Sequence, residues 1–77
     1  MKPVLDVVSF GQIARILELT DRLELSREWV EIPLSRASPG LVRKLPNGKL
    51  EIVVGAGQPF DQWLTTVEAE IRRTAAA

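Results

Sequence analysis

Seventy-seven residues, 45% hydrophobic and 26% charged, predict one small globular domain over residues 1–77. Ten basic and ten acidic residues cancel, so no whole-molecule field draws in nucleic acid or an anionic membrane. The chain has no Cys and no His, which excludes disulfides, thiolate chemistry and Cys- or His-ligated zinc, and removes the commonest general base.

No apolar run reaches the ~20 residues a membrane-spanning helix needs. The opening Met1–Phe10 stretch carries Asp6 inside its apolar patch and lacks a small-residue cleavage pattern, so it is not read as a signal peptide. A cytoplasmic setting is the expectation. Val4–Val8 is open to two readings, since Pro3 can begin a helix or precede a short strand.

Ser9 and Gln12 have capping-box spacing, with Val8 and Ile13 placed for a hydrophobic staple. Phe10, Ile13, Ala14, Ile16 and Leu17 then recur at helical spacing, predicting a helix over about 10–24. Its polar side carries Arg15, Glu18, Asp21 and Arg22. Glu28–Leu34 switches to period two, with Val30, Ile32 and Leu34 on one side and Trp29, Glu31 and Pro33 on the other. Pro33 cannot donate to a ladder, so this strand belongs at a sheet edge or ends there. Ser38-Pro39-Gly40 suits a type II turn, with Pro presetting one φ and Gly taking the positive one.

Leu41–Val54 reads as a β-hairpin around Leu45-Pro46-Asn47-Gly48-Lys49. A two-residue Asn47-Gly48 turn would force Pro46 into the ladder, where it has no amide to give. A type I turn over Pro46-Asn47 with Gly48 in a bulge avoids that. In this register Arg43 faces Glu51 and Val42 faces Ile52, while Val42, Leu50, Ile52 and Val54 point to the core and Lys44 sits at the rim. Gly55–Gln58 is the exit loop, and Pro59 suits a first helical turn. Phe60, Trp63, Leu64, Val67 and Ile71 form the clearest apolar stripe in the chain, predicting a helix over about 59–73. The class is therefore α+β: helix, three-stranded antiparallel meander, helix, with both helices on one face.

Several patterns suggest function. Leu50–Gly57 looks like the strand and glycine turn of a dinucleotide fold, but Phe60 stands where a third glycine belongs and no second strand follows. Arg36, Arg43, Lys44 and Lys49 form an acid-free basic stretch, and Gln12–Leu19 resembles the first helix of a helix-turn-helix. A nucleic-acid-binding module with a basic wing is thus the alternative. Against it, Thr20–Leu34 alternates like a strand where a recognition helix belongs, and basic residues on a hairpin also keep sheet edges from aggregating. Trp29, Leu41, Leu45 and Val53 would share the outer face of the hairpin with Arg43 and Lys49. That patch is larger than a monomer usually exposes, and it points to a protein partner or a homodimer. No catalytic residue, metal ligand, cofactor or small-molecule substrate is expected. The leading expectation is a non-enzymatic interaction or regulatory domain.

The element order, with Gly48-Lys49-Leu50-Glu51-Ile52-Val53 feeding the second helix, resembles the small zinc peptidases of the phage-repressor-cleaving, ImmA/IrrE-type group. The run Thr66-Val67-Glu68-Ala69-Glu70-Ile71-Arg72-Arg73 aligns with that family's T-[LIV]-x-H-E-[LIV]-x-H helix. The resemblance implies that Glu70 matches the general base, but Ala69 and Arg73 replace both zinc-binding histidines. What it implies for this chain is a degenerate, metal-free scaffold kept for binding a protein.

Overall fold

A computed structural model describes residues 7–76. Helix α1 spans Phe10–Arg22, strand β1 Val30–Glu31, strand β2 Leu41–Lys44, strand β3 Leu50–Val53 and helix α2 Phe60–Ala76. The class is α+β, with two α-helices and one three-stranded sheet among the described residues.

The capping box forms as predicted. The Gln12 amide donates to Ser9 Oγ at 3.1 Å, and the Ser9 amide donates to Gln12 Oε1 at 3.1 Å. α1 ends at Leu23, and its last carbonyls are closed by a Schellman pair. The Leu25 amide donates to Thr20 O at 2.9 Å and the Glu24 amide to Asp21 O at 3.0 Å. The left-handed residue of that motif, usually glycine, is Glu24 at φ 62°. α2 opens with the Trp63 amide donating to Pro59 O and runs on through Thr74–Ala76, past the predicted end.

The hairpin takes the bulged register. The Gly48 amide closes the turn onto Leu45 O at 2.9 Å, Gly48 has φ 88°, and Leu45 N donates to Lys49 O at 2.7 Å. Arg43 pairs with Glu51 and Val42 with Ile52, as the sequence requires.

The meander is corrected. The sheet order is β1-β3-β2, with β1 parallel to β3 and β2 antiparallel to it, so the sheet is mixed and β3 is central. β1 pairs Val30 with Leu50 and Glu31 with Glu51. The chain then swings out around Pro33, and only Ala37 returns to the same side of β3, donating to Val54 O and accepting from the Ala56 amide. In the detour, Leu34 O accepts from the Val8 amide and Val7 bridges Ser35. Val7 and Val8 are thus extended, while the rest of Val4–Val8 lies outside the described residues.

Three further expectations change. The predicted strand over Glu28–Leu34 shrinks to two residues, because Arg27–Trp29 curls into a 3₁₀ turn capped by Ser26. Ser38-Pro39 is a cis peptide and Gly40 has no positive φ, so there is no type II turn. Gly40 serves close approach instead: a Cβ there would lie 2.5 Å from Gly55 N. Phe10, expected on the apolar stripe of α1, is 92% exposed. Helical side chains tilt toward the N-terminus, so a first-turn residue overhangs the end of the core.

The core is one cluster: Val8, Ile16 and Leu19 with α1, Trp63, Val67 and Ile71 from α2, and Leu50, Ile52 and Val54 from one side of β3 and its continuation. Burying each large aliphatic side chain contributes about 1.5–3 kcal/mol. Thr20 is also fully buried, and its hydroxyl donates to Leu17 O at 3.0 Å, which lets a polar residue occupy an apolar site. No helix among the described residues is long and apolar enough to cross a membrane.

Candidate functional site: the open edge of the hairpin and its cleft

β2 forms one edge of the sheet, and among the described residues no strand pairs with its outer side. The direction of its backbone groups follows from the turn. Leu45 bonds inward to Lys49, and hydrogen-bonded and non-bonded pairs alternate along an antiparallel ladder. Arg43 and Leu41 therefore also bond inward, and the amide and carbonyl of Val42 point away from β3.

Beside the start of β2 lies a cleft of about 490 Å³. Its walls are the Ser38–Leu41 segment, the Ala56–Gln58 loop and the Trp63, Thr66, Val67 and Glu70 side of α2. Its shape rests on a stack of close contacts. Gly40 lies against the Gly55 backbone, and a Cβ on Gly55 would lie 2.7 Å from Trp63 Cδ1. Two residues without side chains thus let β2 and β3 converge over the indole, which is itself buried. Phe60 flanks that ring at 5.6 Å between centroids, in a tilted pairing. Thr66 donates its hydroxyl to Trp63 O at 2.7 Å. Among the described residues Glu70 is the one charged residue lining the cleft, and Arg73, one turn on along α2, is its ion-pair partner.

Five of the six residues expected on the outer hairpin face share it: Leu41, Arg43 and Val53 by register, with Leu45 and Lys49 continuing the alternation. The face is not the apolar patch expected. Arg43 donates to Glu51 at 2.6 Å across its middle, and Lys49 lies 3.8 Å from Glu31. Glu51 keeps a side-chain exposure of only 16% under this charge lattice. The apolar members are thereby divided, with Leu41 and Val53 at one end and Leu45 at the other. Trp29 is the sixth and does not join them. The 3₁₀ turn breaks its alternation with Val30, and its ring lies over the hairpin turn, where a Cβ on Gly48 would be 3.6 Å from Cζ3. There, 51% exposed, it lines a separate hollow with Leu25, Lys44 and Leu50.

The basic set is also dispersed. Arg43 and Lys49 lie among carboxylates, Lys44 projects to the opposite side of the sheet from Arg43, and Arg36 donates to Gln12 Oε1 at 2.8 Å beside the start of α1. These residues do not make one continuous phosphate-binding surface. Among the described residues no group of three or more carboxylates is placed to hold a metal ion.

Asp21 and Arg27 tie the end of α1 to the 3₁₀ turn at 2.8 Å. The Arg27 hydrogen bond, with its charge adding to it, holds the Asp21 carboxyl below its ordinary value and raises the Arg27 guanidinium.

Sequence reasoning missed the cleft, although one signal for it was present. Extending the Leu41–Val53 pairing by one step brings Gly40 beside Val54 and Gly55, so both glycine loops converge at one end of the hairpin. No family model, curated protein or solved structure matches the chain.

Proposed function

We propose that this chain is a non-enzymatic interaction domain that binds an extended polypeptide segment along the open edge of β2, with one end of the segment seated in the adjoining cleft. One observation carries the reading: an edge strand with outward-pointing backbone groups at Val42 leads, one residue away, into a cleft walled by Leu41 and Trp63. An added strand takes affinity from main-chain hydrogen bonds and selectivity from alternate side-chain pockets. The resemblance to the zinc peptidase group supports the location, because Glu70, the counterpart of that group's general base, lines this cleft. Ala69 and Arg73 in place of the histidines leave a scaffold suited to holding a segment rather than cutting it. A cytoplasmic setting belongs to the same proposal.

The chain is short enough for total synthesis, so the test is a single N-methyl group on Val42. It removes an outward donor and leaves the β2–β3 ladder intact. Randomised linear peptides selected on the unmodified protein should lose binding to the methylated form, with circular dichroism and melting temperature unchanged. Selected peptides that bind both forms equally would refute edge pairing. Light scattering across concentration tests a second copy of the chain as the occupant, since dimerisation through this edge should also vanish on methylation.

A further inference from the structure

We infer that the segment held in the cleft presents a cationic side chain, Lys or Arg, to Glu70. This inference rests on the edge-binding reading above and adds the chemistry of the occupant. Among the described residues the lining of the cleft is otherwise neutral, made of small, apolar and hydroxyl or amide residues, so Glu70 is the one that sets its charge. Glu70 is held in place on α2, between the buried Val67 and Ile71 turns, and its side chain remains 45% exposed. Its intrahelical partner, Arg73, is 69% exposed and lies toward solvent. An exposed pair at this spacing is weak and screened by salt. A cation brought in by a bound strand approaches Glu70 from the cleft side, where the bound strand itself would shield the pair from solvent.

An acidic side chain at the same point meets like charge at the Glu70 carboxylate and is disfavoured, so one residue supplies both attraction and discrimination. Arg43 and Lys44 on β2 itself argue against a second copy of this strand as the occupant, since two such strands would place basic residues opposite one another.

The experiment selects randomised linear peptides on the wild-type chain and on Glu70→Gln and Glu70→Lys. Both substitutions are at a half-exposed helical position and leave the core untouched. Wild type should enrich Lys or Arg at one position, and replacing that residue by Ala should weaken binding about tenfold, as a charge-assisted hydrogen bond implies. On Glu70→Gln the same replacement should change affinity less than about twofold, and Glu70→Lys should enrich Asp or Glu instead. Arg73→Ala, which removes the competing partner, should sharpen the cationic preference. Peptides that bind wild type without charge preference, or keep it on Glu70→Gln, would overturn the inference and leave edge binding standing. If no peptide is enriched on any form, both fall.

Discussion

Glu24→Gly should make the protein more stable. Glu24 is the left-handed residue of the Schellman motif that ends α1, with φ 62°. An L-residue in that conformation costs about 1–2 kcal/mol through the clash of Cβ with the following carbonyl. Glycine removes the clash, and its extra freedom in the unfolded chain takes back about 0.5–1 kcal/mol. The net gain is about 0.5–1 kcal/mol. For a domain of this size each kcal/mol shifts the midpoint by about 4–8 °C, so Tm should rise by about 2–8 °C. Far-UV circular dichroism on heating, with a urea titration, reads the effect as a higher midpoint with unchanged m. Glu24→Ala is the control, because it removes the same carboxylate and keeps the strained φ. If Gly is no more stable than Ala, the conformational argument is refuted.

Gly40→Ala and Gly55→Ala should both destabilise, the first more severely. The new Cβ of Gly40→Ala meets backbone at 2.5–2.7 Å, whereas that of Gly55→Ala meets the Trp63 ring. Overpacking of this kind costs about 1–3 kcal/mol, with Gly40→Ala at the upper end, and urea midpoints in the reverse order would contradict the close approach of β2 and β3. Acid should weaken the joint between α1 and the 3₁₀ turn. Asp21 has a folded pKa below its ordinary 3.8, so its contribution is complete above that value and disappears as pH falls through the lower folded one. The Tm difference between wild type and Asp21→Asn should therefore be present at neutral pH and shrink in strong acid. A difference that persists unchanged there would show that the carboxylate charge is not its source.

The parts legible in the sequence are those whose cause lies within a few residues. Ser9 and Gln12 announce the start of α1, and Pro46 with Gly48 admits one turn and hence one register, from which the buried side of β3 follows. The parallel pairing of β1 with β3 was hidden because period-two alternation says which residues share a face, not which strand lies alongside or in what direction. Trp29 departs from its expected face for a related reason: the alternation stops at the 3₁₀ turn that Ser26 caps. The Arg43–Glu51 pair followed from the hairpin register, whereas the partner of Lys49, Glu31, comes near it only through the parallel pairing of β1 with β3. The cleft escaped notice because its walls come from three segments that meet only after the sheet and α2 are assembled.

The central position of β3 also orders events in time. Its antiparallel neighbour is close in sequence, with Arg43 and Glu51 eight positions apart, whereas its parallel neighbour pairs Val30 with Leu50 across twenty. Closing the longer loop costs about 0.8 kcal/mol more chain entropy, for a strand of only two residues. The hairpin should therefore form early, with α2 docking on it and β1 with α1 arriving afterwards. In reverse, β1 should open first, and native-state hydrogen exchange should then find the amides on the β1 side of β3 less protected than those bonded to β2.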